Sequence, residues 1–415
     1  MVYASVGNTI PVVFILSFSK LGDFIALAFG TLSLGVAEFV MMGLLPYIAK
    51  DFDVSVATAG HAISAYAFGV MVGALALAFL HKFKLKHIVI ALVVVQLVGI
   101  VATSFANSFN ILLLTRFISG LPHGCFFGVG AIVAQRIATN GKGNSAVAIM
   151  VAGMTVANVF GVPLGTALAH SVSWRVVFYL LFFWGLIVLF SVIKWLPDTG
   201  KIPPTTFKTQ FKFLKTVAPW LVLLATFFGN GGMFCVLSYV SPMLTQFGSL
   251  PLSYVSAVMV GIGLSMVFGN LISGHLADKL RSGKVFMYFH IMGVVTMILM
   301  AAIGFITPIG VVLACLIGLC LFAVGTPQQV SILHTAIGGP LIGSAMIQVA
   351  FNFGNMLGAL IGGVPFTFNL NLGMVAIFGA LLGILGVVCA YLYQKKYELK
   401  CVEIYKQQQL QTSSN

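Results

Sequence analysis

Two side chains carry charge inside long apolar runs. Glu38 stands in GTLSLGVAEFVMMGLLP (residues 30–46) and Arg116 in LLLTRFISGLPHG (112–124). A charge held in hydrocarbon is costly and faces a cavity or a partner. Burial favours the neutral carboxyl and a nearby guanidinium favours the ionised one, so a Glu whose water access or Arg distance changes can load and release a proton. The same pair also reads as a static ion pair holding two helices together. His123, seven residues after Arg116, returns to within about 20° of its face at 100° per residue. An imidazole there suits a proton relay, and equally a hydrogen bond between helices. Thr31 shares the face of Glu38 by the same arithmetic.

A second pattern is uncharged. Gln348, Asn352 and Asn355 fall within about 60° of one another on a helix, in GSAMIQVAFNFGNMLGALIGG (343–363). Carboxamides donate and accept, which suits the hydroxyls of a sugar or the polar edge of a drug. With Gly354, Gly358 and Gly362 on an adjoining face, the stripe also suits interhelical bonding. Asn230, Tyr239, Gln328 and Tyr66 are further candidates for a polar cavity, and each also reads as packing. Asp51 and Asp53 read as caps of the helix that follows them. HExxH, P-loop and GxSxG patterns are missing, so the residues do not suggest an enzyme.

The elements that must position these groups are membrane helices. Of 415 residues, 60% are hydrophobic and 7% charged, against about 25% charged in a soluble domain. Uninterrupted apolar runs exclude a porin-like barrel. They predict twelve helices, near 24–46, 57–80, 88–106, 111–135, 145–169, 176–194, 219–243, 252–275, 285–306, 309–333, 341–364 and 372–393. Residues 1–20 read as an extension. The polar stretch around Pro203 and Pro204 forbids a continuous helix, so the chain divides into a six-helix bundle at 21–195, a linker at 196–218, a second bundle at 219–394 and a solvated tail at 395–415. Of the 21 Lys and Arg residues, 18 fall in segments on one side of the predicted topology and two, Lys50 and Arg175, on the other. That bias places both termini in the cytoplasm. It also accounts for the net charge of +13 without nucleic acid. The six cysteines show no metal spacing.

Several segments in order resemble one family. They are GVAEFVMMGLLPYIA (35–49), AGHAIS (59–64), RFISGLPHGCFFGVG (116–130), GMTVANVFGVPLG (153–165), Trp174-Arg175 and AFNFGNMLGALIGG (350–363). Over residues 21–395 the chain resembles a major facilitator superfamily transporter of the bacterial 12-helix drug:proton antiporter group, nearest to arabinose or sugar efflux permease-like proteins. The resemblance implies an all-α fold of two six-helix pseudo-repeats, alternating access, and a bacterial cytoplasmic (inner) membrane location. It also implies a monomer that exports sugars or sugar-like compounds, or drugs, in exchange for protons, with the proton gradient as energy source and no cofactor. It casts Glu38 and Arg116 as proton-coupling residues, to which the spacing above adds His123, with Gly161, Pro163 and Gly165 as the antiporter motif of the fifth helix and Asp278-Lys279 as the second copy of a loop motif. In the first copy His81 takes the place of the usual Asp. A passive facilitator or importer of sugars, and a membrane sensor or scaffold without transport, are the alternatives.

Overall fold

A computed structural model describes residues 21–76, 80, 82–138, 143–201, 211–337 and 339–413, and His81 lies outside them. Its helices are α1 Leu21–Phe39, α2 Met41–Asp51, α3 Val56–Ala76, α4 Leu85–Ser104, α5 Phe109–Ile137, α6 Gly143–Val156, α7 Val162–Ser171 and α8 Trp174–Trp195. They continue with α9 Val217–Ser238, α10 Val255–Lys279, α11 Ser282–Ile303, α12 Thr307–Thr335, α13 Pro340–Thr367, α14 Gly373–Lys396 and α15 Glu398–Ser413. Twelve segments among the described residues are long and apolar enough to cross a membrane. The predicted spans match them apart from ends shifted by a few residues.

Two spans are broken for local reasons. The first divides at Val40, where α1 gives way to α2, which carries Pro46. The fifth widens into a π turn at Ala157–Gly161, between α6 and α7. Pro163 has no N–H to return to the preceding turn, and a wide turn absorbs that missing bond.

Within each half, backbones rather than side chains meet. A Cβ added at Gly69, Gly73, Gly120 or Gly124 would overlap the backbone of the facing helix across the α3–α5 contact. Gly231, Gly354 and Gly358 do the same between α9 and α13. Small residues let membrane helices approach this closely, and dispersion contacts then hold them.

Hydrogen bonds joining the two halves, among the described residues, run from mid-depth to the end away from the lysines. They link Glu38 with Asn355, Ser64 with the Met356 carbonyl, Tyr239 with the Ala57 carbonyl and Ser256 with the Pro163 carbonyl. At that end Arg175 pairs with Asp51, Trp174 Nε1 donates to Asp51 at 3.1 Å, and Arg175 also donates to the Ala106 carbonyl at 2.9 Å. Asp51 is therefore not the cap expected of it. Ser55 does that work, its Oγ accepting from the Thr58 amide at 3.0 Å.

At the basic end the first linker residues are tied to the first half. Lys84 donates to Asp198 at 2.6 Å, Arg136 donates to the Thr199 and Lys201 carbonyls, and the Leu85 amide donates to the Gly200 carbonyl at 2.9 Å. The hydrogen bond from Lys84, and a second from the Gly200 amide, hold the Asp198 carboxyl below the usual carboxylate range. The pair is exposed, so it adds little stability. A carboxyl with lowered pKa keeps its tie at neutral pH and loses it as pH falls through the lowered value. Protection of the Leu85 amide from hydrogen exchange is expected to persist through the ordinary carboxylate range and drop only below it. Asp198→Asn is expected to remove that pH dependence.

The tail differs from its solvated reading. Residues Glu398–Ser413 form α15. Glu398 is buried and accepts from the Gly283 amide at the start of α11 at 2.6 Å, while the Tyr405 ring lies 4.9 Å from that of His334 on α12. A cap supplied from 115 residues away has no local sequence signal.

Candidate functional site

Glu38 sits two residues before the break in the first span, 6% exposed. Three elements meet it. His123 of α5 places Nδ1 3.7 Å from Oε2, and Asn355 of α13 donates from Nδ2 to Oε1 at 3.4 Å. Tyr66 of α3 lies beside them, its hydroxyl 3.0 Å from His123 Nδ1. The carboxyl thus touches an imidazole in its own half and a carboxamide in the other.

Arg116 is fully buried, yet the expected direct pair with Glu38 does not form. Its guanidinium takes part in neither of the ion pairs Lys84–Asp198 and Arg175–Asp51, and the ring beside Glu38 is the His123 imidazole. Instead the guanidinium lies over the Tyr66 ring, 4.3 Å from its centroid, with Nε 3.4 Å from the Ala62 carbonyl oxygen. Position along a helix sets the depth of a residue in the membrane and does not fix what stands between two helices. Tyr66 stands there, so the sequence runs Arg116, Tyr66, His123, Glu38, Asn355.

That arrangement is unsatisfied. Arg116 Nη1 and Nη2, Asn352 Oδ1 and Asn355 Oδ1 are buried without hydrogen-bond partners. A desolvated charge or amide without partners costs on the order of 1–3 kcal/mol or more. Such a cluster fits a place that water, a proton or a polar solute visits. Arg116→Met removes an unpaired buried charge and retains most of the volume. It is expected to unfold at a temperature no lower than the wild type, measured by thermal unfolding in detergent.

The other sequence candidates fall elsewhere. Thr31 bonds the Met150 and Ala28 carbonyls and pins the first span to the fifth. The Gln348 carbonyl takes the Asn352 amide at 3.0 Å. Gly161 and Gly165 lie against Val36 and Val40, so the motif segment follows the break in the first span. Gly263 of α10 meets its Asn158 carbonyl from the other half. Lys279 is exposed, and the Asp278 side chain lies outside the described ones.

Asn230 and Gln328 do not face the Glu38 cluster. They bond each other and His290, with Gln328 Nε2 3.1 Å from Asn230 Oδ1 and His290 Nε2 3.3 Å from the same oxygen. His290, 1% exposed on α11, escaped the sequence reading. The rule that singled out His123, an ionisable group inside a span, applies to it equally.

Two six-helix bundles meeting around buried polar groups are the layout of membrane transporters. The sequence profile of the Major Facilitator Superfamily matches residues 27–346, and the chain belongs to that family. AraJ of Escherichia coli (strain K12) is 39% identical over 89% of this chain and 94% of its own. A chloramphenicol resistance protein of Streptomyces lividans is 28% identical over 81% of this chain and 86% of its own. The crystal structure of the nucleoside transporter NupG (D323A mutant) superposes with a TM-score of 0.73 at 13% identity, covering 91% of this chain and all of that one. That likeness concerns the fold.

Proposed function

We propose that this transporter exports small neutral polar molecules from the bacterial cytoplasm in exchange for protons, sugars or sugar-like compounds first and drugs second. The observation that carries the reading is the contact of Glu38 with His123 on one side and Asn355 on the other. A carboxyl shared by the two halves is a natural exchange point. Protonation frees it from its partners, and a solute hydroxyl can replace it on the Asn355 amide. The name of the Streptomyces relative supports the drug reading.

With halves joined from mid-depth to the end away from the lysines, the described state is closed at that end, and both termini lie at the other, cytoplasmic end by the distribution of Lys and Arg. The energy source is the proton gradient, no cofactor takes part, and the monomer is the working unit in the inner membrane. One charge crossing 100 mV yields ~2.3 kcal/mol, a roughly fifty-fold gradient of neutral solute per proton.

The test is proton movement in proteoliposomes of purified protein as pentoses, thiogalactosides and chloramphenicol are added. Protons are expected to move with at least one compound, one per cycle and with transfer of charge. Solute equilibration without proton movement identifies a facilitator instead, and binding without flux a sensor.

A further inference from the structure

The buried polar atoms without partners fall into more than one group, and one of these lies outside the Glu38 cluster. His290 Nδ1, Ser331 Oγ, Tyr393 Oη and Glu398 Oε2 are all buried and unsatisfied in the second half. They come from α11, α12, α14 and α15 and follow one another toward the basic end. Ser331 lies one turn along α12 from Gln328, whose Nε2 stands 3.3 Å from His290 Nε2. Tyr393 faces both Ser331 and Glu398. The Phe286 ring joins the series from the side, its centroid 6.0 Å from both His290 and Tyr393. The two ends of the series, His290 Nδ1 and Glu398 Oε2, have no partner and are not explained by packing, while the Tyr393 and Ser331 hydroxyls between them lie within reach of each other; buried polar atoms are satisfied by protein or by ordered water.

We propose that the second bundle holds a file of buried water between Glu398 and His290, forming a second proton-binding route served from the basic end. The inference rests on the proton-coupled reading above. A proton enters on the Glu398 carboxyl, passes through water and the Tyr393 and Ser331 hydroxyls, and arrives on His290 Nδ1. Each hydroxyl releases one proton for each it accepts. At the inner end the imidazole keeps Nε2 against the Asn230 carboxamide oxygen, an acceptor for Nε2–H. At the mouth, burial holds the Glu398 carboxyl above its usual range against the Gly283 amide and Arg281. The titratable or charged groups facing Glu398 are Arg281 on the turn before α11, Tyr393 on α14 and Cys401 on α15. Gly283 leaves the space the carboxyl occupies, since a Cβ there would stand 2.8 Å from it.

Two variants interrupt the file with its packing kept. Ser331→Ala combined with Tyr393→Phe removes the hydroxyls, and Glu398→Gln keeps an acceptor for the Gly283 amide. With L-arabinose or chloramphenicol as probe in proteoliposomes, each is expected to slow proton movement about fivefold at unchanged half-saturating probe concentration. The Glu398→Gln variant is also expected to lose pH dependence on the basic side. Rates and pH profiles equal to wild type in both, with Glu38→Gln inactive beside them, overturn the file and leave the central reading standing. An experimental density map of the wild type tests the file independently of transport. Waters within hydrogen-bond reach of the four atoms are expected, and a dry, closed interior there overturns the proposal even if no probe moves protons.

Discussion

Glu38→Gln is expected to abolish substrate-driven proton movement while leaving solute exchange down its own gradient. The amide keeps the length and polarity of the side chain, so it can still meet Asn355, 3.4 Å away in the wild type, and His123. What it loses is the exchangeable proton and the charge that interacts with His123. A general acid or base must lie close to the group it serves, and Glu38 has the Asn355 amide at 3.4 Å in the other half and the His123 imidazole at 3.7 Å in its own. If coupling depends on this carboxyl, the cycle becomes insensitive to imposed pH gradients. Proton movement equal to wild type would place the coupling site elsewhere and reduce Glu38 to a strut. The readouts are a pH-sensitive dye inside proteoliposomes and labelled solute measured in parallel.

Gly60→Val is expected to have the other large effect, on which end of the protein is open. Tyr239 crosses from the second half toward the first at the end away from the lysines. Its hydroxyl donates to the Ala359 carbonyl at 2.8 Å and lies 3.4 Å from that of Ala57, while its ring stacks on Phe366. A Cβ at Gly60 would overlap that hydroxyl. Forcing added atoms into a packed contact costs typically 1–3 kcal/mol, and every 1.4 kcal/mol changes an equilibrium tenfold. The strain applies while Tyr239 occupies its seat, so the population shifts toward the state open at that end. Labelling of a cysteine placed at Ser64, behind the seat, by a membrane-impermeant reagent added on the side away from the lysines is expected to rise about tenfold or more. Unchanged labelling would show that the two ends do not separate at Tyr239. Tyr239→Phe, which removes the hydroxyl and spares the ring, is expected to shift the balance in the same direction by less.

The spans were legible because the bilayer constrains composition segment by segment. Twenty apolar residues announce a crossing whatever surrounds them. Depth was legible too, because position along a span sets it. Lateral position was not. Which helix stands between two others is decided by contacts such as that of Asn355 with Glu38, 317 residues apart, and one sequence holds no trace of it. Thr31 shares the helical face of Glu38 but meets span five instead, because a face is wide enough to touch two neighbours. His290 was as legible as His123, since each is an ionisable ring inside a span, but the charge nearest to it, Lys284, stands at the end of its span and not inside it as Arg116 does. The folded tail could not be read, because α15 is a polar helix whose docking groups, Glu398, Cys401 and the Tyr405 ring, meet partners far away in the sequence.

The glycine contacts inside each half set the tolerance of this protein to mutational drift. Backbone touches backbone across α3 and α5, and across α9 and α13, so no side chain there can trim its volume to absorb a change. Across the seam between halves, apart from Gly263 on the Asn158 carbonyl, the contacts named above are made by side chains, which can be exchanged one at a time. Selection for a new solute therefore has room to act along the seam, where a substitution retunes recognition. Inside either bundle the same step first removes the protein from the membrane. In a saturation library sorted for surviving protein, the glycine positions should emerge nearly bare and the seam crowded with variants.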